Sequence, residues 1–127
     1  MFGITLEGTE PMHEQLSNSI KKLVITGILQ KDSPLPSVRE LALDLAINPN
    51  TVQKAYSFLE QQGITYSVSG KGRFVAVSAS HLKKMSQNEI LNSVSTQIKA
   101  LKNLEMSIDE LKAEIEKIYE EENKWLK

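Results

Sequence analysis

No cysteine occurs anywhere in the chain. Disulfides, zinc fingers and thiol catalysis are thereby excluded. Only two histidines are present, His13 and His81, far apart and without a pattern of carboxylates around them, so no metal site is expected. No apolar run approaches the roughly 18–20 residues needed to span a bilayer, which excludes a transmembrane helix. The first residues, M-F-G-I-T-L-E-G-T-E-P, lack the basic segment and apolar run of a secretory signal, and a cytoplasmic location is expected. Paired carboxylates and a nucleophile beside a base are also missing. The chain is not expected to be an enzyme, and no cofactor is expected.

A basic excess is missing too. Lysine and arginine number 15 against 16 aspartates and glutamates, a formal net charge of −1. Up to Ser78 the count is seven against seven, and beyond it eight against nine. A strong electrostatic binder of nucleic acid usually carries more positive charge than this. Position matters more than the sum, however. Arg39, Lys54, Lys71 and Arg73 fall in one stretch, whereas Asp109, Glu110, Glu114, Glu116, Glu120, Glu121 and Glu122 lie far downstream. The expectation is a local basic face on a neutral body, with salt-sensitive and moderate non-specific affinity for DNA.

What is present centres on residues 34–56, P-L-P-S-V-R-E-L-A-L-D-L-A-I-N-P-N-T-V-Q-K-A-Y. Ser37 with Glu40 three residues on forms a capping box, in which each side chain satisfies an orphan backbone donor. Asn48 followed by Pro49 pairs a capping side chain with a residue preset for the first helical position. Between them one short helix runs from Val38 to about Ala46, with Val38, Leu41, Ala42 and Leu45 on one face. A second helix runs from Pro49 to about Gln62, with Val52, Ala55, Tyr56 and Leu59 inward, and Gly63 supplies the left-handed residue that ends it. Two short helices joined by a tight turn, the second opening with exposed polar residues, have the layout of a helix-turn-helix.

The flanks extend this pattern. Pro11 opens an earlier helix bearing Leu16, Ile20, Leu23 and Val24, weakened near its end by Gly27, and Ile28-Leu29 continue its apolar pattern. Gln30 to Pro34 read as a polar loop with a proline stop. Ile64, Tyr66 and Val68 alternate with Thr65, Ser67 and Ser69, and a second short strand, Arg73 to Val77, follows a Ser-Gly-Lys-Gly turn. A hairpin placed directly after a helix-turn-helix is a wing. Ser78-Ala79-Ser80 is a small-residue joint, read here as a hinge. Beyond it, Leu82, Met85, Leu91, Val94, Ile98 and Leu101 form an apolar stripe from His81 to about Asn103. Ser107 with Glu110 starts a further helix carrying Ile108, Leu111, Ile115, Ile118 and Trp125. Two striped helices in so short a tail bury their stripes poorly by themselves, and a second copy of the chain is the commonest partner. Trp125 is expected to pack at the dimer end, and the acidic residues to form a solvated face.

The expected fold is therefore mainly α with a small β-hairpin. A winged helix-turn-helix domain over residues 1–77 precedes a helical dimerisation tail over residues 78–127. The blocks P-M-H-E-Q-L, G-I-L, L-P-S-V-R-E-L-A, N-P-N-T-V-Q-K-A-Y-x-x-L-E-x-x-G and G-K-G-x-F-V, in that order, resemble the DNA-binding domain of GntR-family bacterial transcription regulators. The short two-helix tail and the I-N-P-N-T-V-Q-K-A-Y run resemble the YtrA-type subfamily, in which the tail dimerises and a large ligand-binding domain is missing.

The resemblance implies a site. Arg39 matches the family arginine that reaches guanine in the major groove, where a guanidinium fork fits the O6 and N7 acceptors. Ser37, at the start of its helix, suits a phosphate. Asn48, Asn50, Thr51 and Gln53 fall on the turn and recognition-helix positions, and Lys54 meets a phosphate. Gly70, Lys71 and Gly72 match the wing tip, where glycine lets backbone approach the minor groove. Pro49 stands where other branches carry an arginine or another polar residue, which removes one base contact of those branches. Gly70-Lys71-Gly72 lacks the spacing and the Ser/Thr of a nucleotide-binding loop. The implied function is a homodimeric, sequence-specific repressor of transcription on double-stranded DNA with an inverted-repeat operator. A small-molecule effector of unspecified chemistry would act on it. The alternative is a winged helix that binds another protein, against which the polar recognition helix argues.

Overall fold

The computed structural model describes residues 2–125, and the side chains from residue 122 onward, Trp125 among them, lie outside the described residues. Among the described residues there are five helices and one antiparallel hairpin: α1 (Met12–Ile25), α2 (Val38–Leu45), α3 (Pro49–Gln61), β1 (Thr65–Val68), β2 (Gly72–Val75), α4 (Ala79–Asn103) and α5 (Ile108–Trp125). The chain divides into two compact units, residues 1–86 and 87–127. No described helix is long and apolar enough to cross a membrane.

In the first unit α3 is the central element, packed by α1 and α2 and followed directly by β1. Its inward face is the expected one: Val52, Ala55, Tyr56 and Leu59 are all buried. Leu16, Ile20, Leu23 and Val24 of α1 and Leu41 and Ala42 of α2 close the same core. Each fully buried leucine or valine here stabilises the fold by about 1.5–3 kcal/mol. Helix α1 stops at Ile25, and Gly27 takes φ 83°, so the chain turns away before Ile28, which is exposed. Leu29 re-enters the core outside the helix, held by its N–H donating to the Leu23 carbonyl at 3.0 Å. The helical pattern through Ile28-Leu29 was therefore half deceptive. A left-handed glycine ends the helix and one apolar residue still faces inward.

The segment expected as a polar loop does more than connect. Asp32 N–H donates to the Val75 carbonyl (2.7 Å), Val75 N–H to the Ser33 carbonyl (3.0 Å) and Leu35 N–H to the Arg73 carbonyl (2.9 Å), with a bridge between Pro34 and Phe74. Residues 32–35 thus cover one edge of the hairpin, and Pro34, which has no N–H, is tolerated there because an edge position needs none. The hairpin register pairs Thr65 with Val75, Tyr66 with Phe74, Ser67 with Arg73 and Val68 with Gly72. The expected alternation holds only in the middle of β1, where Tyr66 is half-buried and Ser67 exposed. Thr65 is buried although it fell on the polar side, and Val68 is exposed because the hairpin projects past the body that could cover it.

Ser78 is not a loose joint. Its hydroxyl accepts the His81 N–H (3.2 Å) and its carbonyl the Leu82 N–H (3.0 Å), so it caps α4. Leu82 is fully buried in the core and Met85 packs against that core, which makes the first turns of α4 part of the winged unit. A hinge at residues 78–80 would have to break that cap and extract Leu82.

In the second unit the chain turns between α4 and α5 with Glu105 at φ 66° and Met106 N–H donating to the Leu101 carbonyl (3.1 Å). Ser107 caps α5: Glu110 N–H donates to Ser107 Oγ, while the Glu110 carboxylate accepts the Ser107 hydroxyl at Oε1 rather than its backbone N–H, both at 3.1 Å. The two helices do not pack along one another. A corner cleft of about 350 Å³, lined by Ile98, Leu101, Met106, Ile108 and Leu111 among others, lies where the two helices meet. Their stripes stay open to solvent, with Leu91 and Ile118 each 58% exposed and Val94 and Ile98 also exposed.

Candidate nucleic-acid interface

The two helix starts read in the sequence set the geometry. Ser37 has extended backbone (φ −62°, ψ 159°), and its Oγ accepts the Glu40 N–H at 3.1 Å. The reciprocal half of the expected capping box is not made. The Glu40 carboxylate lines the groove beside Tyr56 and Arg73 instead. Ser37 is exposed, so its hydroxyl hydrogen and the free amides of the first turn face outward. Arg39, also in that turn, is exposed, and its side chain makes no hydrogen bond or ion pair among the described residues.

Ala46, in the left-handed region at φ 55°, ends α2, and Asn48 caps α3 with Oδ1 accepting the Asn50 N–H at 2.8 Å. That engagement leaves the Asn48 amide group as its free donor. Asn50, Gln53 and Lys54 occupy the exposed side of α3 opposite its buried face, while Thr51 is half-buried. Gln53 Nε2 donates to Ser57 Oγ (3.1 Å) one turn on, which extends the side chain along the helix. At the wing, Lys71 N–H donates to the Val68 carbonyl at 3.0 Å, and Gly70 has φ 75°. The turn needs a left-handed residue at its third position, a conformation that is strained for any residue with a Cβ. Gly70, Lys71 and Gly72 are all exposed.

An open groove of about 490 Å³ runs between the start of α2 and the wing. It brings Ser37 together with Gly70, Lys71 and Gly72. Arg39, Asn48, Asn50, Gln53 and Lys54 stand outside it on the exposed surfaces of α2 and α3. The arrangement presents hydrogen-bond donors and three cationic side chains, Arg39, Lys54 and Lys71, and can serve phosphate and base-edge contacts. Among the described residues no group of three or more His, Asp or Glu could hold a metal ion.

Sequence reasoning placed Tyr56 in the core but not its polar end. Tyr56 O–H donates to the Pro36 carbonyl at 2.7 Å, one residue before the cap of α2, and the Arg73 guanidinium lies 5.1 Å from its ring centroid. On the other face of the hairpin Tyr66 stacks on Phe74 (5.5 Å between centroids) and donates to Asp32 Oδ1 at 2.9 Å. Nothing in local periodicity signals these pairs, which join residues 20 and 34 positions apart.

Burial pushes the Tyr56 phenol well above its ordinary value; Arg73 opposes this and Glu40 adds to it. The folded pKa is raised, so this group's contribution to stability is whole below pH of about 10, where the unfolded chain's phenol ionises, and is lost as pH rises beyond that. We expect the melting temperature to fall steeply above about pH 10. Tyr56→Phe should start lower at neutral pH, for want of the Pro36 bond, and show a shallower alkaline limb. An identical limb in both proteins would assign the effect to other groups.

The wider comparisons agree with this geometry. Residues 12–75 match the family described as bacterial regulatory proteins, gntR family. The HTH-type transcriptional repressor YtrA of Bacillus subtilis is 34% identical over 128 residues, covering 100% of this chain and 90% of that protein. A transcriptional regulator from Oenococcus oeni superposes with a TM-score of 0.69 at 35% identity, over 92% of this chain and 98% of that one. AraR(DBD) in complex with operator ORR3 matches with a TM-score of 0.52 at 33% identity, over 55% of this chain and 84% of that one. These proteins are transcription regulators rather than enzymes. With its three-helix core, its hairpin wing and a full-length match to a repressor, the chain belongs to the gntR family of bacterial regulatory proteins.

Proposed function

We propose that the chain is a homodimeric, sequence-specific repressor of transcription that acts in the cytoplasm on an inverted-repeat operator. The observation that carries this reading is the exposed polar side of α3, with Asn50, Gln53 and Lys54, beside an exposed Arg39 and a glycine-tipped wing. In each half-site Arg39 reads guanine. Asn48, Asn50, Thr51 and Gln53 meet base edges or phosphates, Ser37 and Lys54 bind phosphate, and Gly70, Lys71 and Gly72 enter the minor groove. AraR(DBD), captured with its operator, supports the same use of the shared domain.

The tail supplies the second half of the proposal. Exposed Leu91, Val94, Ile98, Ile115 and Ile118 on two helices that do not cover each other call for a partner, and a second copy presents the same stripes. An effector, if it controls such a dimer, must bind two arrangements of the domains with different affinity.

The test is selection of bound duplexes from a random pool, followed by a gel shift with the region upstream of the protein's own gene. We expect enrichment of a palindrome and one dimer per site. Failure to enrich any sequence would sink the proposal and favour a winged helix that docks on another protein.

A further inference from the structure

The wing is gripped by the recognition helix at two points, and neither is a DNA-contact position in the reading above. Ser67 and Arg73 face each other across the hairpin, one pair short of its last rung, Val68 with Gly72. Ser67 Oγ donates to Glu60 Oε1 and the Arg73 guanidinium covers the Tyr56 ring at 5.1 Å. Tyr56 and Glu60 both belong to α3, four residues and so about one turn apart on the same side of the helix. Tyr56 is in turn tied to Pro36 at the entry to α2. Beyond the Ser67–Arg73 pair, toward the tip, no side-chain hydrogen bond or ring contact among the described residues holds the hairpin, and residues 68–72 are exposed.

We propose that Ser67 and Arg73 are positioning residues that clamp the wing to α3, so that the reach of residues 70–72 is set by the helix that reads the major groove. The clamp rests on the DNA-binding reading for its purpose but not for its existence. Three residues of strand carry the tip about 10 Å beyond the clamped pair, at roughly 3.3 Å per residue. An angular slack of about 10° at the base would then move the tip by roughly 1.7 Å, several times the tolerance of about 0.5 Å for a preorganised contact. A hydrogen bond from one strand and a cation over a ring from the other restrain both edges of the hairpin against that rotation.

Two variants of the full chain test this, Ser67→Ala and Arg73→Gln, beside Lys71→Ala. In the free protein, hydrogen exchange of the hairpin amides between residues 66 and 74 should speed up about fivefold to tenfold in each clamp variant, with the amides of α1 and the buried half of α3 unchanged. On the selected duplex each should weaken binding by about fivefold to tenfold. In the Lys71→Ala background, Arg73→Gln should add little, because the clamp acts through the tip. Full additivity would make Arg73 an independent DNA contact and overturn the proposal. Unchanged exchange in both clamp variants would overturn it as well. If wild type selects no duplex, the DNA reading fails, and the exchange data alone still decide whether the clamp exists.

Discussion

Arg39→Ala should abolish discrimination between operator and scrambled duplex while leaving weak, salt-sensitive association in place. Arg39 is exposed in the first turn of α2, whose start is held by the Ser37 cap and whose inner face is Leu41 and Ala42. Removing its side chain leaves cap and core intact, so the stability change should stay within about 0.5 kcal/mol. A guanidinium fork on guanine is worth about 1–3 kcal/mol of discrimination, and a dimer applies it twice. The combined loss spans roughly 30-fold to 10⁴-fold in specific affinity. Lys54 and Lys71 remain, and they sustain the sequence-independent part. Anisotropy titrations on both duplexes at two salt concentrations measure this directly. Undiminished specificity would remove Arg39 from the interface.

The second large effect lies in the tail. Val94→Glu combined with Ile98→Glu places two carboxylates one turn apart on the exposed stripe of α4. In a monomer both would sit harmlessly in water; in a dimer interface each must be desolvated beside its symmetry mate. We expect a monomer by light scattering and a loss of about 10² to 10⁴ in operator affinity, because linked half-sites no longer bind as one. The winged unit, whose core reaches only to Leu82 and Met85 along α4, should keep its cooperative melting. A variant that remains dimeric would show that the copies meet elsewhere.

Much of this architecture is legible in the sequence, for identifiable reasons. Helix starts are local events. Ser37, Asn48 and Ser107 announce themselves through one side chain and an amide two or three residues on, and all three caps form. Gly63 ends α3 as expected because a left-handed φ of 77° favours glycine. The inward face of α3 follows from a period of 3.6 alone. Those features also place α3 and the turn of the hairpin in the sequence.

The misreadings share a cause. Residues 32–35 carry polar and proline loop chemistry, yet they pair with β2 because the fold brings that edge alongside. Thr65 and Val68 break their alternation because burial depends on how far the hairpin projects, a property of the assembled body rather than of the strand. Ser78-Ala79-Ser80 has the composition of a linker but caps a helix whose fourth residue, Leu82, is locked in the core. Glu40 leaves its capping role for a groove that exists only once the wing is in place.

By itself the sequence determined the order of elements, the caps, the buried side of each helix in the winged unit and the exposed polar side of α3, because these depend on neighbours within about one helical turn. The tertiary structure alone decided the pairing of residues 32–35 with the edge of β2, the end of the winged core inside α4, and the Ser67–Glu60 and Arg73–Tyr56 contacts that hold the wing to α3. Each of those joins residues brought together only by packing, and no local pattern encodes a distance across a core.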